Sequence, residues 1–305
     1  MPLVSVIVGT YNCAGFLPGL LACLDAQTFR DFEVVVVDDA STDGATLSFL
    51  QGLGERIRLI RRTTNSGTCE LPRYQGVQAA RGTLCGFIDA DDRWEPTFLE
   101  RCVRALQDDP PAALVHTRVR VIDGQDRLVR IRHEHGLPEG EAVARALLEH
   151  CFITISATVV RRDCWLSALP EAALTDFGMD QDFFLRLAKR HRIAFIPDVL
   201  ASYRRSSASV SVQKWRRAPR NVHTLERLLR QGDWQGLCTR AEMRLIVRTA
   251  YVENAEHWRH AGWPGRAAWF CLRGLRLAPV ETRLWVSLAK IAARPVPAHR
   301  SAAAS

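Results

Sequence analysis

Lysine is nearly missing from this chain: of 41 basic residues among 305, only Lys189, Lys214 and Lys290 are not arginine. Arginine's planar fork suits phosphate better than an ammonium does. A GC-rich coding sequence gives the same bias, so the excess by itself assigns no ligand. Long apolar runs are missing too. No stretch reaches the roughly 18 apolar residues that span a bilayer. The amino terminus, MPLVSVIVGTYN, has no basic n-region and no cleavage pattern, so no signal peptide is expected. The nine cysteines, an odd number, include no Cys-x-x-Cys pair and no Cys/His cluster of zinc spacing. Reduced, mostly buried thiols in a cytoplasmic protein are expected instead. A dinucleotide fingerprint is also lacking. The turn after the first strand reads Gly9-Thr10-Tyr11-Asn12-Cys13-Ala14, not Gly-x-Gly-x-x-Gly, which argues against a nucleotide-binding oxidoreductase.

What is present is an ordinary globular composition, 47% hydrophobic and 24% charged, which excludes a disordered or fibrous chain. The net charge of +8 favours an anionic partner. Its distribution is uneven. Residues 214–305 carry 17 basic and 6 acidic residues, a net of +11, against −3 for the remainder. No nucleic-acid motif accompanies this charge, so a lipid surface or a phosphorylated ligand is the expected anion.

Over the first 120 residues strand and helix patterns alternate. Strands are expected at Leu3–Thr10, Glu33–Asp38, Ile57–Arg61 and Leu84–Asp89, and helices at Phe16–Leu24, Thr46–Leu53, Glu70–Ala80 and Pro96–Leu106. Such a series predicts an α/β fold with a mostly parallel sheet, which binds ligands at the carboxyl ends of its strands. A hairpin is expected around Asp123-Gly124, helices at Ala142–His150 and Asp180–His191, and strands at Phe152–Val160 and on either side of Pro197-Asp198. Beyond residue 213 only helical periodicity remains, and Arg294–Ser305 reads as a disordered tail. One phrase, NAEHWRHAGWPGRAAWFCLRGLRLAPVETRLW, resembles a tetratricopeptide helix pair, but a single copy cannot form a solenoid.

Several polar clusters fall at strand ends. Thr10-Tyr11-Asn12 offers backbone groups and an aromatic face to a base, or is a plain turn. In Asp38-Asp39-Ala40-Ser41-Thr42-Asp43 the later residues cap a helix and Asp39 faces a ligand. Asp89-Ala90-Asp91-Asp92 follows an apolar strand. Asp89 and Asp91, two apart, point to one side of an extended chain and supply hard oxygen ligands suited to Mg²⁺ or Mn²⁺ with substrate phosphates. Asp180, at a helix start, is either favoured by the helix dipole or a general base. Arg73 is a candidate contact to a base or phosphate. Arg204, followed by Arg205, neutralises a diphosphate or is a solvated edge.

Taken in order, Val4–Val8 with Thr10-Tyr11-Asn12, then FEVVVVDDASTDG, then NSGTCELPRYQGVQAARGTLCGFIDADDRWEPTFLE, resemble the family 2 glycosyltransferases of the GT-A fold. The likeness continues more loosely to about residue 211. It implies an inverting transferase that uses a nucleotide-sugar donor, a UDP-sugar above all, and a divalent cation, Mn²⁺ or Mg²⁺. It implies that Thr10, Tyr11, Asp39 and Arg73 surround the nucleotide base, with Asn12 among the nucleotide-sugar contacts. Asp89 and Asp91 match the family's D-x-D and are the expected metal residues, with Asp91 on the metal bound to the diphosphate and Asp89 near the ribose; Arg204 is counted with the nucleotide-sugar contacts. Asp180 matches the base that deprotonates the acceptor hydroxyl. Three positions depart from the pattern: Gly9 stands for the usual Pro, Met179-Asp180 for a Glu-Asp pair, and Ser206-Ser207 where a His is often found. The implied organisation is a catalytic GT-A domain at 1–211 and a helical C-terminal extension at 212–293. The implied acceptor is a glycan or a lipid-linked precursor of surface polysaccharide, met in the cytoplasm or at the inner face of the membrane through the basic tail. A non-catalytic glycan- or lipid-binding homologue is the alternative.

Overall fold

A computed structural model of the chain describes residues 1–134, 136–169, 179–205 and 222–293. The chain divides into two compact units, Met1–Arg216 and Arg217–Ser305. The tail at 294–305 and the residues on both sides of position 211 lie outside the described residues.

The first unit is built on a nine-stranded sheet in the order β3-β2-β1-β4-β8-β6-β9-β5, with β7 paired to β6. Strands β1 (Val4–Thr10), β2 (Phe32–Asp38), β3 (Arg58–Arg61) and β4 (Leu84–Phe87) run parallel, joined by helices α1 (Leu17–Asp25), α2 (Gly44–Gly52) and α3 (Glu70–Ala79). The unbroken apolar runs Val6–Val8 and Val34–Val37 are what a strand covered on both faces requires. The chain runs from β1 outward through β2 to β3, then returns to place β4 on the other side of β1. The crevice beyond the ends of β1 and β4 is therefore the topological switch point where such sheets take ligands.

The α/β fold expected from the sequence is present, with a sheet that is parallel from β3 to β4 and mixed beyond. β8 (Thr158–Arg161) runs antiparallel to both β4 and β6 (Ala112–Ile122), which returns β6 to the direction of β4. The expected strand at Phe152–Val160 shortens to β8, because Ile155–Ala157 winds into a 3-10 turn. The two short strands expected around Pro197-Asp198 are one strand, β9 (Arg192–Arg204), parallel to β6. Its register steps from Thr117↔Ile196 to Arg118↔Val199, so Pro197 and Asp198 bulge out of the ladder. That is how a sheet tolerates a proline without an N–H to donate. Arg118 Nε donates to the freed Pro197 carbonyl at 3.0 Å. β5 (Arg93–Trp94) pairs with the end of β9, and β7 (Leu128–Ile131) completes the expected hairpin with β6.

Three further helices flank this half: α4 (Phe98–Asp108), α5 (Ala142–Glu149) and α6 (Arg162–Ala168). α7 (Met179–Ala188) is anchored by a ring stack. Phe87 of β4 lies 4.3 Å from Trp165 of α6, and Trp165 lies 4.2 Å from Phe183 of α7. Gln181 Nε2 also donates to the Leu147 carbonyl of α5 at 2.6 Å. These contacts fix the first turn of α7, and Asp180 with it.

The second unit is helical, as expected: α8 (Val222–Gln231), α9 (Arg240–His260), α10 (Pro264–Leu277) and α11 (Thr282–Ala292). Thr239 and Glu242 form a reciprocal capping box at the start of α9. Inside the unit Glu226 accepts from Tyr251 Oη and from Arg273 Nη2, the latter at 3.0 Å. Trp263, Trp269, Leu272, Val280 and Trp285 remain exposed. No helix among the described residues is long and apolar enough to cross a membrane.

Candidate active site

Thr10, Asp39, Asp89 and Asp91 lie at the carboxyl ends of β1, β2 and β4, while Arg73 and Asp180 come from α3 and α7 and Arg204 ends β9. Thr10, buried at the end of β1, accepts the Asp39 N–H on its carbonyl at 2.8 Å. Tyr11 beside it is 47% exposed, an aromatic face open to a ligand. Asn12 has a left-handed backbone, φ +46°, and its side chain is spent on the protein. Oδ1 accepts the N–H groups of Thr42 and Asp43 at 2.8 and 3.1 Å, and Nδ2 donates to Thr42 Oγ1 at 3.1 Å. Asn12 therefore staples the loop after β1 to the loop after β2. As expected, Asp43 caps α2, accepting the Thr46 N–H at 2.8 Å.

Asp39 is almost fully buried and fully engaged. Its carboxylate accepts Ser66 N at 3.0 Å and Ser66 Oγ at 2.8 Å, and pairs with Arg62 Nε at 2.7 Å. Arg62, Asn65 and Ser66 were not singled out in the sequence. Nothing local in the sequence ties Ser66 to an acid more than twenty positions earlier.

Arg73, in the second turn of α3, is 5% exposed. Nη2 donates to both Asp89 oxygens, at 2.7 and 3.0 Å, and Nη1 lies 3.6 Å from Asp180 Oδ1. Burial works against this cation, but Asp89 and then Asp180 more than offset it and raise its pKa above the usual arginine value. Gly76, one turn on, lets α3 sit this close: a Cβ there would come within 2.5 Å of Ile7 Cγ2. At Gly9, where the family's proline is absent, an added Cβ would make only ordinary contact with Pro72, at 3.5 Å.

The acid loop after β4 is held from below. Asp89 N donates to Ser156 Oγ at 3.3 Å, and Trp94 Nε1 to the Ser156 carbonyl at 2.6 Å. Asp92 is buried and accepts the Arg204 N–H at 2.8 Å. Burial, then Asp89 and Asp91, push its carboxyl well above the usual range. Arg204 is not a solvated edge: it is 2% exposed. Its Nε donates to the Asp91 carbonyl at 2.9 Å, its Nη1 to the Asp123 carbonyl at 2.8 Å, and its Nη2 pairs with Asp126. In this geometry Arg204 shapes the acid loop, and its bonded nitrogens face protein.

Asp91 is the acid left over. No other residue's hydrogen bond to its carboxylate is found among the described residues. Burial first, then Asp89, pushes it up to about 6, against the pull of Arg204 and Arg93. Asp180 is pushed up to about 6 as well. Burial is the largest cause, although the side chain keeps 41% of its surface, and Glu70 and Asp89 add to it while Arg73 opposes. Glu70, Arg73, Trp165, Leu169, Asp180 and Phe183 line one hollow between α3 and α7. Among the described residues no group of three or more His, Cys, Asp or Glu is arranged to cage an ion. A Mg²⁺- or Mn²⁺-type site does not need one, because it uses one or two carboxylates and completes its shell with water and substrate phosphate. Asp91, an oxygen donor destabilised by its own charge, fits that requirement.

The family model for Glycosyl transferase family 2 matches residues 5–169, more than half of the chain. The chain belongs to that family. It is 27% identical over 220 residues to a putative teichuronic acid biosynthesis glycosyltransferase, TuaG, of Bacillus subtilis, covering 71% of this chain and 84% of the relative. It is 30% identical over 172 residues to an uncharacterized glycosyltransferase of a Nostoc species, where the match covers 55% of this chain and only 53% of the relative. Among solved structures, S. aureus TarS in complex with UDP-GlcNAc superposes with a TM-score of 0.63 at 20% identity, covering 95% of this chain and 88% of that one. A mannosyltransferase from Pyrobaculum calidifontis, in complex with GDP-Man and Mn²⁺, gives a TM-score of 0.60 at 20% identity, covering 95% and 84%. These likenesses carry the GT-A fold.

Proposed function

We propose that this glycosyltransferase moves one sugar, with inversion, from a nucleoside diphosphate donor to a hydroxyl of a glycan or lipid-linked acceptor in surface polysaccharide assembly. The observation that carries the reading is the chain of charges at the strand ends. Asp180, with its carboxyl raised to about 6, is bridged through buried Arg73 to Asp89, and Asp91 lies two residues on.

Inversion is a single in-line displacement at the anomeric carbon, so it needs a base on the acceptor side and charge stabilisation on the leaving side. A carboxylate with a pKa near 6 is ionised at pH 7 yet still accepts a proton usefully. Asp180 takes the acceptor hydroxyl's proton as the new bond forms. Arg73 holds it ionised and fixes its direction. Asp91, with Asp89 beside it, would hold Mn²⁺ or Mg²⁺, and the bound cation would supply positive charge against the leaving diphosphate. Tyr11 offers a stacking face to the base, while Asn12, Asp39 and Arg204 shape the loops around the donor. The donor proposed is a UDP-sugar.

The basic second unit is proposed to bring the enzyme to anionic lipid at the inner face of the membrane. Its exposed Trp263, Trp269 and Trp285 support this, since tryptophan suits the lipid interface. The donor assignment is tested with a nucleotide-sugar panel scored by hydrolysis and by thermal shift with Mn²⁺, because a ligand of the folded state raises Tm by mass action. A UDP-sugar is expected to give both signals, and a panel in which no nucleotide sugar shifts Tm would overturn the reading.

A further inference from the structure

The basic excess of the second unit has a focus. Along α11, Arg283, Val286 and Lys290 follow one another at i, i+3 and i+7 and share one stripe. Leu284, fully buried, turns a different stripe inward. In α9, Glu256 and Arg259 are three apart and share a face. All five residues line one groove of about 220 Å³, well above the room that one water needs. Glu281, the N-cap of α11, ties that helix to α9. It pairs with Arg248 Nε at 2.9 Å and with Arg283 Nε at 2.8 Å.

The donors around the groove are mostly uncommitted. Among the described residues neither Arg259 nor Lys290 makes an ion pair. Half-buried Arg259 donates from Nη2 to His260 Nε2 at 2.8 Å, and the exposed Lys290 carries its charge unopposed. Arg283 spends its Nε on Glu281, and its two terminal nitrogens make no hydrogen bond among the described residues. Glu256 is the one acid in the lining, and no ion pair there joins it to any of the three cations. A cleft lined mainly by one sign of charge concentrates the opposite ion. Guanidinium forks with an ammonium beside them match the oxygens of a phosphate.

The groove also adjoins apolar surface. Val286 in its lining is 50% exposed, and Trp285 next along α11 is 55% exposed. A soluble phosphate has no use for such neighbours. A phospholipid presents its phosphate together with hydrocarbon, and tryptophan suits that boundary. We infer that the groove between α9 and α11 takes the headgroup phosphate of an anionic phospholipid, with Trp285 and Val286 against the start of its acyl chains. This rests on the reading of the second unit as the lipid-facing part. It narrows that reading from a diffuse positive charge to one site.

The test is sedimentation of the full chain with vesicles of phosphatidylglycerol in phosphatidylcholine, and with phosphatidylcholine alone. Binding is expected to the first and not to the second. Arg259→Gln and Lys290→Gln are each expected to weaken it about fivefold, the worth of one near-surface charge. Arg244→Gln removes the same charge from an exposed position of α9 that lies about 20 Å along the helix from Arg259. It is expected to change binding by less than about twofold. Because Lys290 is exposed, its variant keeps the comparison valid if Arg259→Gln does not fold. Wild-type binding that all three variants share, or that all three weaken equally, overturns the groove and leaves the membrane reading standing on diffuse charge. Failure of the wild-type protein to bind either vesicle overturns both. Free glycerol 1-phosphate is expected not to release the bound protein, and release by it would assign the groove to a soluble phosphate and overturn the lipid.

Discussion

Arg73 Nη1 stands 3.6 Å from Asp180 Oδ1 while the same guanidinium grips Asp89, so one buried cation governs both the proposed base and the first acid of the loop. Arg73→Gln leaves these carboxylates facing each other uncompensated. Breaking a buried pair by removing one partner costs about 3–5 kcal/mol, so a marked fall in Tm is expected. The acidic limb of the pH–rate profile is expected to move above pH 6, because the group that lowers the Asp180 pKa is gone. A profile that stays in place would separate Arg73 from the base.

For the wild-type enzyme, transfer is expected to rise with pH through about 6, as Asp180 ionises. Asp180→Asn is expected to bind the donor normally and to lose about 10²–10⁴ in transfer rate, the usual span of general-base catalysis. Stability moves the other way. A carboxyl whose folded pKa is raised favours the fold below its unfolded pKa, and that contribution is lost as pH rises through about 6. Asp180→Asn is therefore expected to be the more stable protein above pH 6. The gain is about 1 kcal/mol at most, since the side chain keeps 41% of its surface and solvent screens it. Denaturant melts at pH 5 and pH 7.5 check the sign.

Asp91→Ala is expected to abolish the Mn²⁺-dependent rise in Tm with UDP and to stop donor turnover. Calorimetric titration of Mn²⁺ into the UDP-bound variant is the direct measurement. Unchanged Mn²⁺ affinity with normal turnover would remove the metal from Asp91.

Gly76→Ala tests the seat of α3. The added methyl meets Ile7 Cγ2 at 2.5 Å, so the helix or the strand must give. Overpacking of this kind costs about 1–3 kcal/mol. Arg73 rides on the same helix, so donor turnover is expected to fall more than the loss of stability alone explains, read as kcat at a temperature where the variant is fully folded.

The parallel half of the sheet was legible because each strand is an apolar run closed by polar residues, as at Val34–Val37 before Asp38. β9 was not legible as one strand. Pro197 signals a break, and only the register step against β6 shows that the ladder continues past it. The acids at 89, 91 and 180 stood out because carboxylates at strand and helix ends are conspicuous. Their wiring did not. Arg73 reaches Asp180 across more than a hundred residues, Ser156 supports Asp89 from an apolar stretch, and Arg62 takes up Asp39 from a different loop. Arg204 reads in the sequence as either a diphosphate contact or a solvated edge, because its burial is supplied by the hairpin at Asp123–Asp126. Such pairings are properties of the folded chain, which local pattern does not carry.

The thiols of this chain are graded by depth. Cys85 is pushed up to about 12 by burial, as is Cys13, and Cys102 higher still, whereas Cys69 alone of the nine is exposed. It stands at the N-cap of α3, the helix that carries Arg73. A thiol-directed fluorophore used under mild conditions would therefore label first at the start of the helix that carries Arg73, an optical handle that needs no engineered cysteine.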